Sequence, residues 1–490
     1  MFYNFPHLMK HLRSSNLRVT YWTAKAYRTS LPGSNSNEAN IFIIGAGLAG
    51  LTAAKYLRKN NFKNIRILEA SNRYGGRIRT TKFGEISVEL GNNRISITRE
   101  TLSFLDEILN IDSLKRLDIE PIFIKSDGEF IPFDLKQNVI KTFNYILNEI
   151  EEKFNSVNSK KIKNGKQYLE NKIKEKSKIL YGNDSQIASL VYQALMSDLQ
   201  SFYGCDMSYV HIENLRNLLN IYTNSSLLGH EMIATLQPLI KDLQDIIHYN
   251  KPVVKINSYT GEINCIDGTK YIADHIISTI PLGHLKAYQS FLFEPELSDM
   301  KLKSINKLGI GTPENVFIKY NGNLDDLLPD KHIIYPVWNS NENLYSNDIY
   351  KNITAIYRLP ESRNILQIHC KDNEFHRNEE IILHNLDKFL KCFTRKSLQL
   401  NLIEILKSDW STDPKFLGGI PYLMDANSKR YVNALASPIY WRMPDNEIIP
   451  VLMFAGDATV LNGFGTLEGA AKSGLREGKR LVEYYLQKHN

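Results

Sequence analysis

Little in this chain marks a secreted or membrane-spanning protein. Its four cysteines, Cys205, Cys265, Cys370 and Cys392, are widely separated and form no Cys-x-x-Cys. That spacing excludes a disulfide framework and a cysteine-rich metal site, and it fits a reducing compartment. No run of eighteen apolar residues occurs, so no transmembrane helix is expected. Acids are missing from residues 1–37, which carry Lys10, Arg13, Arg18, Lys25 and Arg28; without those five the net charge of +7 falls to +2. The basic excess thus belongs to the amino-terminal stretch, and no nucleic-acid partner is expected. Residues 1–38 are rich in Ser and Thr and lack the compact apolar segment of a secretory signal. They read as a leader, either a mitochondrial transit peptide or a disordered tail, so the expected location is mitochondrial with cytoplasmic as the alternative.

What is present is a globular composition, 43% apolar and 23% charged over 490 residues, long enough for more than one core. Ile41-Phe42-Ile43-Ile44 is apolar at every position, as a parallel strand covered on both faces must be. Leu48 to Lys59 reads as a helix and Ile65-Arg66-Ile67-Leu68 as a second strand, completing a β-α-β unit. From Leu102 to Leu228 the pattern turns mainly helical, with a solvated helical hairpin over Glu151 to Lys178 broken near Asn164-Gly165. Strands are expected at Val253 to Ile256, Glu262 to Cys265, His275 to Ile280, Glu314 to Tyr320 and Ile353 to Arg358, and an amphipathic helix around Glu379 to Cys392. The last forty residues return to strand, glycine turn and helix: Val451 to Phe454, Gly456, then Gly465 to Leu486. The expected fold class is α/β (α+β overall), a discontinuous Rossmann-type dinucleotide domain with an inserted substrate domain of mixed sheet and helices. Its boundaries fall at 39–100, 235–290 and 405–490 for the first, and 101–234 and 291–404 for the second.

Gly45-Ala46-Gly47-Leu48-Ala49-Gly50 is a G-x-G-x-x-G that follows a strand and opens a helix, and Glu69 ends the next strand. Gly45 permits the tight turn, Gly47 lets a pyrophosphate approach the backbone, and Gly50 lets helix pack on strand. The helix N-terminus offers unpaired N–H groups to phosphate, and Glu69 would accept from ribose hydroxyls. Downstream, Gly75 and Gly76 in Glu69-Ala70-Ser71-Asn72-Arg73-Tyr74-Gly75-Gly76-Arg77 allow a nest of N–H groups; Arg77 can fork onto phosphate with Arg73 reinforcing it.

This last run resembles the flavin-containing amine oxidases, and the polyamine oxidase branch in particular. The likeness continues through Lys251-Pro252-Val253-Val254-Lys255-Ile256, through Ala273 to Lys286, and through Leu308-Gly309-Ile310-Gly311-Thr312 to Phe454-Ala455-Gly456-Asp457-Ala458-Thr459 and Thr466 to Gly474. The resemblance implies FAD as cofactor, a backbone contact from Val254 to adenine, and Asp457 near the ribityl chain. It also implies a last helix, opened at Thr466, whose dipole faces the flavin. It further implies oxidation of an amine, a polyamine or a related one, to aldehyde, amine and hydrogen peroxide, with O2 as co-substrate. No metal and no cysteinyl link to the flavin are expected.

The substrate half departs from the family. Asn315 stands where relatives carry a lysine, Arg94 and Ser96 replace a tryptophan and a histidine, Ile420 a tyrosine, and Glu468 the histidine of the polyamine branch. Phe464 keeps an aromatic and is the candidate for one wall of the site. No catalytic residue is assigned. A flavin-binding pseudoenzyme with weakened activity, or a different FAD-dependent oxidation or desaturation on the same fold, stands as the alternative.

Overall fold

The computed structural model describes residues 36–91, 94–96, 99–109, 116–117, 120–125, 127–154, 165–211, 225–228, 231–325, 332–338, 353–359, 362–370, 390, 401–425, 427–442 and 447–489. The amino-terminal leader, apart from its last three residues, and the helix expected at Glu379 to Cys392, apart from Leu390, lie outside these residues.

Ile41–Ile44 is a central strand of a six-stranded sheet. It pairs in parallel with Ile65–Leu68 on one side and His275–Ser278 on the other, and Ile448–Phe454 continues the parallel run beyond His275–Ser278. Ile247–His248 closes one edge in parallel, and Ile439–Arg442 closes the other antiparallel. The strand alternation divides two cores. Ile41 and Ile43 pack with Leu51, Leu57 and Leu481 from the first and last helices, Leu48–Lys59 and Leu467–His489. Phe42 and Ile44 pack on the opposite face with Ile276, Leu285 and Leu452. The two helices meet through glycine: a Cβ at Gly474 would lie 2.0 Å from the Ala49 carbonyl. Segments from both ends of the chain thus build one dinucleotide-binding sheet, the discontinuous arrangement the sequence implied.

The inserted part is a second six-stranded sheet, ordered Leu402–Lys407, Asn315–Tyr320, Ile365–Cys370, Ile353–Arg358, His332–Val337 and Glu120–Lys125. Its pairings are antiparallel except the last, where Glu120–Lys125 runs parallel to His332–Val337. That edge strand sits inside the stretch read as mainly helical; its Pro121 is tolerated because an edge strand can forgo a ladder donor. The helices Phe133–Phe154, Gly165–Tyr181 and Ser185–Tyr203 cover one face, with Phe123, Tyr335 and Tyr357 of the sheet packed against Phe143, Tyr192 and Leu199.

The two parts are joined where Leu308–Gly311 pairs antiparallel with Ile420–Leu423. Here glycine is sterically required. A Cβ at Gly309 would sit 2.2 Å from the Tyr422 ring, and one at Gly311 would sit 1.9 Å from the Tyr203 carbonyl. The Leu-Gly-Ile-Gly run therefore seats the end of the Ser185–Tyr203 helix against the junction.

Candidate functional site

A cavity of about 670 Å³ runs along the carboxyl ends of the parallel strands and into the inserted sheet, the position at which open α/β sheets bind their ligands. At its dinucleotide end Gly45 has φ of 107°, and a Cβ on Gly50 would lie 2.1 Å from the Gly45 carbonyl. Gly47 is different: a Cβ there would meet nothing within 4 Å, because that side opens to the cavity. No side chain caps the helix that starts at Leu48, so its first N–H groups are left for a ligand. Glu69 is 7% exposed; one carboxylate oxygen accepts from the Ala46 N–H at 2.7 Å and the other from the Ser71 N–H at 2.8 Å. Each oxygen keeps a second lone pair for a ribose hydroxyl.

The Arg73 to Arg77 loop is tied in from both sides. Gly75 donates to the Ala46 carbonyl, and Gly75 and Gly76 have φ of 99° and 61°. Arg73 donates to the carbonyls of Tyr74, Gly76 and Ile78 and is absent from the cavity wall. It shapes the loop rather than reinforcing a phosphate contact, because its donors are spent on backbone. Arg77 does reach the cavity, where its two terminal nitrogens fork onto Asp457 at 2.8 and 2.5 Å and the first also meets the Gly419 carbonyl at 2.5 Å. Next to Asp457, Gly456 has φ of 117° and no atom within 4 Å of where a Cβ would stand, a second open position on the same cavity as Gly47. Thr466 caps the last helix, its hydroxyl accepting from the Gly469 N–H at 3.0 Å and donating to the Gly463 carbonyl at 2.7 Å. Two glycines with clear space, an uncapped helix end and a carboxylate at ribose position form a cradle that fits a dinucleotide.

Two expected contacts lie elsewhere. Val253 lines the cavity with Lys251 and Pro252, while Val254, expected to reach adenine through its backbone, lies at a bulge in that strand and is absent from the wall. Phe464 is fully buried among Leu285, Phe293 and Leu452 and takes no part in the wall. The flanking Gly463 and Gly465, with φ of 85° and 75°, reverse the chain on either side of it and turn the ring into the core.

At the other end the wall comes from the inserted part. Phe202 and Tyr203 at the end of their helix, with Trp410 and Phe416, form its aromatic portion. Trp410 donates to the Leu90 carbonyl at 2.7 Å and stands edge-on to Phe416, ring centroids 5.0 Å apart. Asn315 lines this end, its amide donating to the Gly91 carbonyl at 3.2 Å and accepting from Gln367 at 3.0 Å. Beside it Glu314 is 6% exposed and accepts from the Ser411 hydroxyl at 3.1 Å; burial pushes its carboxyl up to about 8. His369 also faces the cavity and is paired with the buried Asp198 at 3.1 Å. Glu468 lines the cavity and is held by Thr101 and Lys472, and Ile420 lines it too. Arg94 and Ser96 fall on a short strand, and their side chains lie outside the described residues. Phe202, Tyr203, Glu314 and His369 escaped sequence reasoning because no local motif marks them; Glu314 adjoins Asn315, which was singled out. Among the described residues no group of three or more His, Cys, Asp or Glu could hold a metal, and no helix is long and apolar enough to cross a membrane.

Known proteins agree with this geometry. The family model described as flavin containing amine oxidoreductase matches residues 48–482. Protein anon-37Cs of Drosophila simulans is 30% identical, over 91% of this chain and 92% of its own length. Polyamine oxidase 5 of Oryza sativa is 27% identical over 91% and 88%, and the peroxisomal N(1)-acetyl-spermine/spermidine oxidase of Bos taurus 24% identical over 90% and 94%. A solved structure of a putrescine oxidase with redesigned cofactor binding shares the fold, with a TM-score of 0.66 at 16% identity, covering 91% of this chain and 99% of the other. With its dinucleotide cradle assembled from both ends of the sequence, the chain belongs to the flavin-containing amine oxidoreductases, and its cofactor is FAD.

Proposed function

We propose that the chain oxidises a small amine of the polyamine type at the carbon next to nitrogen. The imine formed is split by water to an aldehyde and a shortened amine, and oxygen is reduced to hydrogen peroxide. The observation that carries this reading is the continuity of one cavity from Gly47 to the aromatic wall of Phe202, Tyr203, Trp410 and Phe416. The names of the rice and bovine relatives support the polyamine class.

FAD, when bound, supplies the two-electron acceptor. The residues of the chain position the amine and control its proton. Rings locked as Trp410 and Phe416 are lose little entropy on holding an alkyl chain. Their low-dielectric surface also disfavours the ammonium form, which cannot release a hydride from the neighbouring carbon. A wall of this kind excludes water while the reactive imine forms.

The test is anaerobic mixing of the yellow holoprotein with spermine, spermidine, their N-acetyl forms and putrescine. Bleaching of the flavin absorbance in a single turnover is expected with at least one of them. Reduction by dithionite but by none of the amines would refute the reading. One observation favours a second reading, a flavoprotein without turnover: the Asn315 amide is committed on both its atoms to Gly91 and Gln367 and carries no titratable proton. On that reading dithionite alone bleaches the protein.

A further inference from the structure

We propose that His369, with Asp198 behind it, takes the proton from the substrate ammonium. The inference rests on the amine-oxidation reading above and adds to it a residue that acts on the substrate.

The starting point is tautomer. Asp198 is 1% exposed and a carboxylate can only accept, so the His369 Nδ1 at 3.1 Å from it carries the hydrogen. The second carboxylate oxygen accepts from the Tyr335 hydroxyl at 3.3 Å. The neutral ring therefore keeps its lone pair on Nε2, the atom at its far edge. That ring lines the cavity together with Ser201, Phe202 and Tyr203. The ring is held by the Asp198 bond and by Tyr357, which stands edge-on at 5.5 Å; Thr354 ties the His369 carbonyl at 3.3 Å to Ser201 Oγ at 3.0 Å.

The site needs such a group. A free alkylamine, with a pKa near that of lysine at about 10.4, is almost wholly ammonium at neutral pH. Asn315 cannot take its proton. His369 is the residue paired directly across the sheet from Asn315, so the titratable group stands one strand away from the position where relatives carry lysine. The surroundings of His369 are drawn from four elements. The helix Ser185–Tyr203 brings Asp198, Ser201 and Tyr203; the strand Ile353–Arg358 brings Thr354 and Tyr357; His332–Val337 brings Tyr335; and Asn315–Tyr320 brings Asn315. Among these Asp198 is the one carboxyl group.

In the step itself an N–H bond of the ammonium breaks and an Nε2–H bond forms, while the electron pair stays on the amine nitrogen. The imidazolium is held against the Asp198 carboxylate, as in other His–Asp pairs in which the carboxylate fixes the tautomer and stabilises the cation without being protonated. The neutral amine can then give up hydride from its α-carbon, and the ring loses its proton to solvent once product departs.

The experiment compares wild-type, His369→Gln and Asp198→Asn holoprotein. The rate constant of anaerobic flavin reduction by the best amine is measured from pH 6 to 10, together with amine affinity by flavin difference spectra. With His369→Gln, reduction at pH 7 is expected to fall about 10²–10³-fold. It should recover towards the wild-type rate near pH 10, where free amine is abundant, and exogenous imidazole should restore part of the loss with His369→Gly. A structural role would instead lower the rate equally at every pH and leave imidazole without effect. A wild-type pH profile in His369→Gln, or an equal fall at all pH values, overturns the proposal. Independently of turnover, 15N signals of His369 in the oxidised wild type at pH 8 should report the Nδ1–H tautomer, and the Nε2–H tautomer would overturn it even if the variants fail to fold. If no amine reduces the wild type, the amine-oxidation reading fails, and this proposal with it, a result distinct from an unaltered His369→Gln.

Discussion

The two ends of the cavity are held by different forces. At the dinucleotide end the shape comes from backbone: Gly45, Gly50, Gly75, Gly76 and Gly456 occupy places where a side chain would clash or where φ is positive. At the amine end it comes from side chains: Asn315, His369 and Trp410 are each held by a hydrogen bond from a distant segment, and Tyr203 stands edge-on to its neighbour Phe202. A backbone site tolerates almost no variation, since every change of residue alters its shape. A side-chain site can exchange one residue for another and keep its volume. The difference accounts for a chain whose glycine motifs match the family while the residues of its amine end carry no local motif.

The sharpest break of that contrast separates two glycines within one turn. Gly50→Val would place a Cβ 2.1 Å from the Gly45 carbonyl, backbone that cannot yield, so insoluble or colourless protein is expected. Gly47→Ala adds a methyl where no protein atom lies within 4 Å, at an ordinary φ of −76°. It should leave the thermal midpoint of the apoprotein unchanged yet weaken FAD binding about tenfold or more, measured by flavin fluorescence on titration. Tight FAD binding by Gly47→Ala would show that the pyrophosphate does not pass this glycine.

The same contrast decides what could be read in advance. The G-x-G-x-x-G and the Arg-Tyr-Gly-Gly-Arg loop were legible because steric demands on neighbouring residues leave a local trace. Phe464 was placed wrongly because its direction depends on two positive-φ glycines rather than on its own identity. Arg73 has the charge a phosphate wants, but three nearby carbonyls compete for it and win. The edge strand Glu120–Lys125 is created by parallel pairing with a remote segment, and His369 and Asp198 stand 171 residues apart. No local pattern encodes partnerships of that span.

A smaller effect is expected from a side-chain link at the dinucleotide end. Arg77 and Asp457 form a two-pronged pair, their side chains 26% and 9% exposed, that ties the Arg73 to Arg77 loop to the last strand turn. Removing one partner leaves the other charge half-buried, and breaking a buried pair costs about 3–5 kcal/mol. The partial exposure of Arg77 and its bond to Gly419 put Asp457→Ala at the lower end, about 3 kcal/mol. The thermal midpoint of the apoprotein should fall accordingly. The double variant Arg77→Ala/Asp457→Ala should lose less than the sum of the single changes, since both remove the same interaction. Strict additivity would mean the pair contributes nothing.

The amine end offers a pH-dependent test with a definite sign. Burial raises the Glu314 carboxyl to about 8 in the folded protein, against an ordinary value of 4.5. Between those values the folded state holds a proton that the unfolded chain has lost, so stability falls as pH rises. The contribution is fully present below pH 4.5 and is lost by the time pH passes about 8. The slope for one such group is at most about 1.4 kcal/mol per pH unit. Glu314→Gln cannot titrate, and its thermal midpoint should gain steadily on wild type between pH 5 and 8. Glu89 provides the comparison, because burial lifts its carboxyl to about 7 but it stands behind the cavity wall. A ligand filling the amine end should therefore shift the Glu314 difference curve and leave that of Glu89→Gln in place. Equal responses of the two curves to the ligand would mean that Glu314 senses the general field of the interior and not the occupant of the cavity.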